Sequence, residues 1–170
     1  FLTVIRALYG KRFSMPYLID GHNLIPKLGL RLDSLDDESE LIAILQEFCR
    51  LERRQAEVYF DGAPLSRTVK LGAVTAAFIS RTTTADNAIR SRVRKLGKAA
   101  KNWTVVSSDR EVQASARAMQ AQVISSDEFA KTIKQIMNSP RVTKGERVVS
   151  KEEVEEGLRM FGGKEQRSRE

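Results

Sequence analysis

Tyr17-Leu18-Ile19-Asp20-Gly21-His22-Asn23-Leu24 is the stretch around which the chain is organised. Tyr17, Leu18 and Ile19 make a short apolar run that stops at a carboxylate, a glycine and two polar side chains. A run of that length ending in a turn signal reads as a buried strand of a parallel sheet. Asp20 then falls at the strand's carboxyl end, where open α/β sheets place their ligand crevice. Gly21 allows a sharp turn there without a Cβ penalty. Capping of the next segment by Asp20 accounts for the same pattern, so this stretch alone leaves both readings open.

The same grammar recurs downstream. Glu57-Val58-Tyr59-Phe60 reads as a second strand, ending in Asp61-Gly62, and Pro64 stops any helix from following at once. Val74 to Ile79 reads as a third strand, Trp103-Thr104-Val105-Val106 as a fourth and Gln122-Val123-Ile124 as a fifth. Helical spacing of Leu41, Leu45, Phe48 and Leu51 predicts an amphipathic helix over 38–54, with Asp33 and Ser34 offering caps. Thr82-Thr83-Thr84-Ala85-Asp86 opens a helix with the stripe Ala85, Ile89, Val93 and Leu96. Ser108 and Glu111, Ser125 and Glu128, and Ser150 and Glu153 each have capping-box spacing at a helix start. The last of these helices carries Val154, Leu158 and Phe161 on one face. Alternating strands and helices imply a three-layer α/β/α domain around a mainly parallel sheet.

At 170 residues the chain fits one domain with a substantial core. Residues 15–139 read as that domain, ended by Pro140, and 140–170 as an amphipathic helix with a basic tail. Residues 1–14 read as an extension ahead of a natural start at Met15. No apolar run approaches the ~20 residues that cross a bilayer. The lone Cys49 excludes an internal disulfide framework and fits a reducing, cytoplasmic setting. It falls beside Leu45 and Phe48 and reads as a buried structural thiol.

The net charge of +7 is uneven. Residues 15–61 hold five basic and ten acidic side chains, whereas 62–135 hold thirteen basic and five acidic ones. A basic half joined to an acidic one suggests a polyanionic partner, although a solvated basic surface has the same composition.

Right-handed crossovers bring strand ends and the following helix starts to one edge of the sheet. Three such ends supply Asp20, Asp61 and Asp109, and the helix after the third strand supplies Asp86. Clustered carboxylates repel one another and raise one another's pKa unless a cation intervenes. Hard divalent ions such as Mg²⁺ take oxygen ligands, keep several waters and accept phosphate oxygens. Held at such a site, an ion can activate water against a phosphodiester, while the basic half holds backbone phosphates. Metal-dependent phosphodiester hydrolysis is a coherent chemistry for that edge.

Leu18-Ile19-Asp20-Gly21-His22-Asn23, Val58-Tyr59-Phe60-Asp61-Gly62, Thr84-Ala85-Asp86 and Val106-Ser107-Ser108-Asp109 occur in that order. The ordered set resembles the NYN domain family of PIN-like ribonucleases, and within it the bacterial YacP-like branch. The resemblance covers residues 15–137 and extends to the Glu-rich helix near the carboxyl terminus. It implies a strand order near 3-2-1-4-5, Mg²⁺ or Mn²⁺ dependence and endonucleolytic RNA cleavage, with ribosome-associated messenger RNA as a suggested substrate. Carried over by position, Asp20, Asp86 and Asp109 match the core metal-binding acids. Asp61 matches an additional acid, and Asn23 a residue that orients a ligand or bonds a phosphate. Many relatives have an acid after the position of Asp86. This chain has Asn87, which leaves the number of ions open.

Arg81, Arg90 and Arg110 are the basic residues nearest these acids and are candidate RNA contacts, with salt bridges to Asp86 or Asp109 as the alternative. Ser107 and Ser108 are candidates to offer backbone N–H groups to a phosphate at a helix start, against simple capping. His22 reads as a loop-packing residue, and Asp127 as helix-start chemistry away from the site. The chain has neither GxGxxG after a strand nor GxxxxGK[ST], which disfavours a bound nucleotide cofactor. The remaining competitor is a non-catalytic RNA-binding module on the same fold.

Overall fold

β1 (Tyr17–Asp20) is buried along its whole length, which is why it reads as an unbroken apolar run. The computed structural model describes residues 15–31, 36–139 and 150–162. The extension at 1–14, the Asp33 and Ser34 caps, Pro140, the Phe161 side chain and the tail beyond Gly162 lie outside what is described.

After β1 the chain makes one turn of helix, α1 (Gly21–Leu24), a 3-10 turn (Ile25–Leu28), and then α2 (Asp37–Glu52). β2 (Ala56–Ala63), β3 (Arg67–Leu71) and β4 (Val74–Ser80) follow. Next come α3 (Ala85–Leu96), β5 (Thr104–Val106), α4 (Arg110–Ala118), β6 (Gln122–Ile124), α5 (Ser126–Met137) and α6 (Lys151–Gly162).

The six strands form one sheet in the order β3-β4-β2-β1-β5-β6. All neighbours are parallel except β3 and β4. The five strands read from sequence therefore stand in the order 3-2-1-4-5, as expected, and β3 adds an antiparallel edge that the sequence did not reveal. β3 has only Val69 buried, so its apolar signal is a single side chain. The second strand also runs further than expected. It continues to Ala63 through a register shift after Phe60, so Asp61-Gly62 forms an irregularity within β2 rather than its end. Gly62 takes φ +82° there, a conformation side chains disfavour.

Alternate residues of β1 feed two cores. Tyr17 and Ile19 join Phe48, Phe60, Phe129 and Ile133 under α2, α5 and α6, whereas Leu18 joins Ile89, Val93, Val105 and Val112 under α3 and α4. Each large apolar side chain so buried contributes about 1.5–3 kcal/mol. Cys49 is buried among the first set, as expected, and burial pushes its thiol up to about 12. α6 docks on the same face. Val154 is buried, Lys151 bonds Asp36 and Glu40 at 3.2 Å each, and Gly157 lets the helix close on Leu71.

Two of the three expected capping boxes form. Ser125 with Glu128 and Ser150 with Glu153 exchange reciprocal bonds. The third does not: Asp109, not Ser108, caps α4, accepting from the Glu111 and Val112 amides at 2.8 and 3.0 Å. Spacing cannot decide between adjacent side chains that can both cap.

Candidate metal and phosphodiester site

The carboxyl edge of the sheet gathers the acids. Asp20 closes β1 and is only 8% exposed. Its Oδ1 accepts the Asn23 amide at 3.2 Å, so it also caps α1. Gly21 is required here for space. A Cβ would sit on the Phe60 ring and 2.9 Å from the Tyr59 carbonyl oxygen. Close packing of the turn against β2, and not a left-handed backbone, is what excludes a side chain.

Asp61 projects from the irregular part of β2. Its Oδ1 pairs with His22 Nδ1 at 2.9 Å, and its Oδ2 accepts the Ala85 amide at 3.4 Å. Thr84 caps α3 by accepting the Asn87 amide at 3.2 Å, which places Asp86 in the first turn. Asp109 caps α4 through one oxygen. Each acid thus anchors a helix start or lies within one, a favourable place for negative charge.

The four carboxylates act on one another. Burial raises Asp20 against the Asn23 hydrogen bond, and Asp86 and Asp61 raise it further, to about 6. Burial also raises Asp86, with Asp109 adding to the effect; its hydrogen bond with Asp20 and the charge of Arg90 oppose it. Asp20 and Asp86 are therefore in hydrogen-bonding contact, with Asp61 and Asp109 close enough to repel them. For Asp61 burial is outweighed by the bonds from His22 and Ala85, and its carboxyl is held below its usual range.

His22 does more than fill a loop. Its ring bridges Asp61 and Glu38, the latter through Nε2 at 3.0 Å. The Glu38 bond, against opposing burial and with help from Asp61, pushes the imidazole up to about 9, so it is charged at neutral pH. This ion-paired clamp is a role that local sequence did not show, because Glu38 lies 16 residues away.

Asn23 is committed inward. Its Oδ1 accepts from the Ser108 amide at 3.1 Å and from the Ser126 hydroxyl at 2.5 Å. Ser108 Oγ in turn accepts the Ser126 amide at 3.2 Å. The Ser107 amide donates to the Ile124 carbonyl, and the Ser107 hydroxyl accepts the Asp109 amide. Both serine amides are thus engaged within the protein, and together with Asn23 they fix the loop that presents Asp109.

Arg81 and Arg110 are exposed. Arg81 reaches the Gly62 carbonyl at 3.4 Å. Arg90 bonds Asn87 and Glu111. Asp127 lies apart and pairs with Lys27 at 3.1 Å, in keeping with helix-start chemistry. The roomiest concavity found, about 450 Å³, opens at the opposite end of the sheet among Pro16, Cys49, Arg50 and Gln55, and has no acid of this set.

Among the described residues no three acidic, histidine or cysteine side chains stand together as a ready-made ligand set. The donor chemistry nonetheless suits a hard cation. Mg²⁺ is usually held by one or two carboxylates, with water and phosphate completing its shell, and the repelling Asp20–Asp86 pair is such a place. No described helix is long and apolar enough to cross a membrane.

A family model for the YacP-like NYN domain matches residues 17–160. Two crystal structures of Rae1 (YacP) from Bacillus subtilis share the fold. A mutant form superposes with a TM-score of 0.60 at 23% identity, covering 72% of this chain and 76% of that one. A second structure gives 0.58 at 21% identity, covering 85% and 80%. A search of curated proteins gives no match.

Proposed function

We propose, for a chain that belongs to the YacP-like NYN domain family, that it is a metal-dependent endoribonuclease acting at the Asp20–Asp86–Asp109 edge. Nucleases generally make up the family, which gives the reaction class. The observation that carries the assignment to this edge is the mutual repulsion of Asp20 and Asp86, two carboxyl groups in hydrogen-bonding contact beside Asp109 and Asp61. A cation relieves that repulsion where water cannot.

Asp20 and Asp86 would hold Mg²⁺ or Mn²⁺, with the free oxygen of Asp109 completing the protein's share. When bound, the ion supplies positive charge for the phosphate and lowers the pKa of a water. The chain's own residues do the rest. Asp61 and His22 brace the start of α3 and so place Asp86. Asn23, Ser107 and Ser108 place Asp109. Arg81, Arg90 and Arg110 take backbone phosphates and keep the polymer in register. Ribosome-bound messenger RNA is the substrate we would try first, on the strength of family membership.

A second reading, an RNA-binding module without catalysis, draws on one observation: both oxygens of Asp61 are already engaged. Cleavage of a short single-stranded RNA in Mg²⁺ or Mn²⁺ separates the two. Wild type should cut, and Asp20→Asn and Asp109→Asn should lose at least about a hundredfold in rate. Cutting by these variants at the wild-type rate would overturn the assignment.

A further inference from the structure

Among the described residues, Arg90 Nε is the buried side-chain polar atom without a hydrogen-bond partner. A desolvated guanidinium donor left unpaired is unfavourable, and in native proteins it calls for a function or an absent ligand. The rest of the group is fixed. One terminal nitrogen donates to Asn87 Oδ1 at 3.0 Å and the other reaches Glu111 Oε2 at 3.5 Å. Asn87 lies one turn earlier on α3, and Glu111 lies in the first turn of α4. Arg90 therefore spans the two helix starts that carry Asp86 and Asp109, one turn from Asp86, whose carboxyl it helps keep charged. Its side chain is still 25% exposed, so solvent and substrate can reach it.

We propose that Arg90 is a catalytic residue of this site, donating its unpaired Nε–H to a non-bridging oxygen of the scissile phosphate. This rests on the nuclease reading. In the hydrolysis, a water oxygen bonds to phosphorus and the bond from phosphorus to one ribose oxygen breaks with its electron pair. The water's proton passes to solvent, and the departing ribose oxygen takes a proton from solvent. Arg90 stays protonated throughout and meets the charge that grows on the phosphate oxygens. The planar fork suits the task, because two of its nitrogens hold position while the third faces the substrate. Asn87 is then a positioning residue for Arg90. Since the guanidinium already supplies one fixed positive charge, a single divalent ion per chain is enough.

Two measurements on the full chain test this: steady-state cleavage of a short single-stranded RNA, and calorimetric titration of Mn²⁺ without RNA. Arg90→Gln should lower kcat about a hundredfold, with little change in KM. Arg90→Lys keeps the charge but not the fork and should recover only a small part of the loss. Without RNA, wild type should bind one Mn²⁺, and Arg90→Gln should bind it more tightly, because a repelling cation is gone. A merely structural salt bridge would lower the thermal midpoint and leave kcat and Mn²⁺ affinity as they were. If Arg90→Gln does not fold, Arg90→Lys decides, and a wild-type kcat in that variant rejects the role of the fork. A wild type that cuts alongside an equally active Arg90→Gln overturns the role of Arg90 alone. A wild type that does not cut overturns the nuclease reading and this inference with it.

Discussion

Asn23 and Ser126, 103 residues apart in the chain, are joined by a hydrogen bond of 2.5 Å across the loops that follow β1 and β6. The Ser108 amide shares the same acceptor oxygen. Ser126 is fully buried, so removing that acceptor strands two donors away from water. Asn23→Ala should cost about 1–3 kcal/mol of stability, read from the midpoint of urea unfolding. It should also slow RNA cleavage by loosening the loop of Asp109. An unchanged midpoint would show that the bond does not hold the loops together.

Gly21→Ala tests the close approach of the first turn to β2. The new methyl would overlap the Phe60 ring and crowd the Tyr59 carbonyl oxygen. Overpacking of this kind typically costs about 1–3 kcal/mol. The thermal midpoint should fall, and a variant as stable as wild type would mean that the turn can shift aside.

The His22 clamp gives a pH dependence with a definite sign. Its folded pKa, about 9, stands above the ordinary 6.5. The stabilisation is therefore fully present below about 6.5 and is lost as pH rises through about 9. His22→Gln should be less stable than wild type at pH 6, with the gap narrowing towards pH 10. Thermal unfolding across that range checks it, and a gap independent of pH would refute the ion pairing.

These elements differ in how far the sequence discloses them. The five parallel strands were readable because strands buried on both faces carry near-continuous apolar runs, and Leu18-Ile19 and Val105-Val106 are such runs. β3 was not, since Arg67-Thr68-Val69-Lys70-Leu71 buries one side chain and lies between turn residues. The crossover rule brought Asp20, Asp61, Asp86 and Asp109 to one edge on paper, and their mutual electrostatic effects agree with that placement. What each acid bonds to was hidden. His22 with Glu38, Asp61 with Ala85 and Asn23 with Ser126 are contacts between distant segments, for which local spacing carries no signal.

The exposed face of α3 and the turn after it carries Arg94, Lys95, Lys98 and Lys101. RNA that follows this face displaces counterions, so its affinity should fall steeply with salt, each neutralised contact removing about 0.7 from the log–log slope. Arg94→Ala with Lys98→Ala should flatten the dependence in anisotropy titrations. A salt response already flat in the wild type would remove the basic face from the RNA path.

Anomalous diffraction from crystals soaked in millimolar MnCl₂ tests most directly whether this edge holds a hard ion. A peak about 2.1–2.2 Å from carboxylate oxygens of both Asp20 and Asp86 is the expected result. Crystals that show no peak at those carboxylates, or manganese bound only elsewhere on the chain, would contradict it.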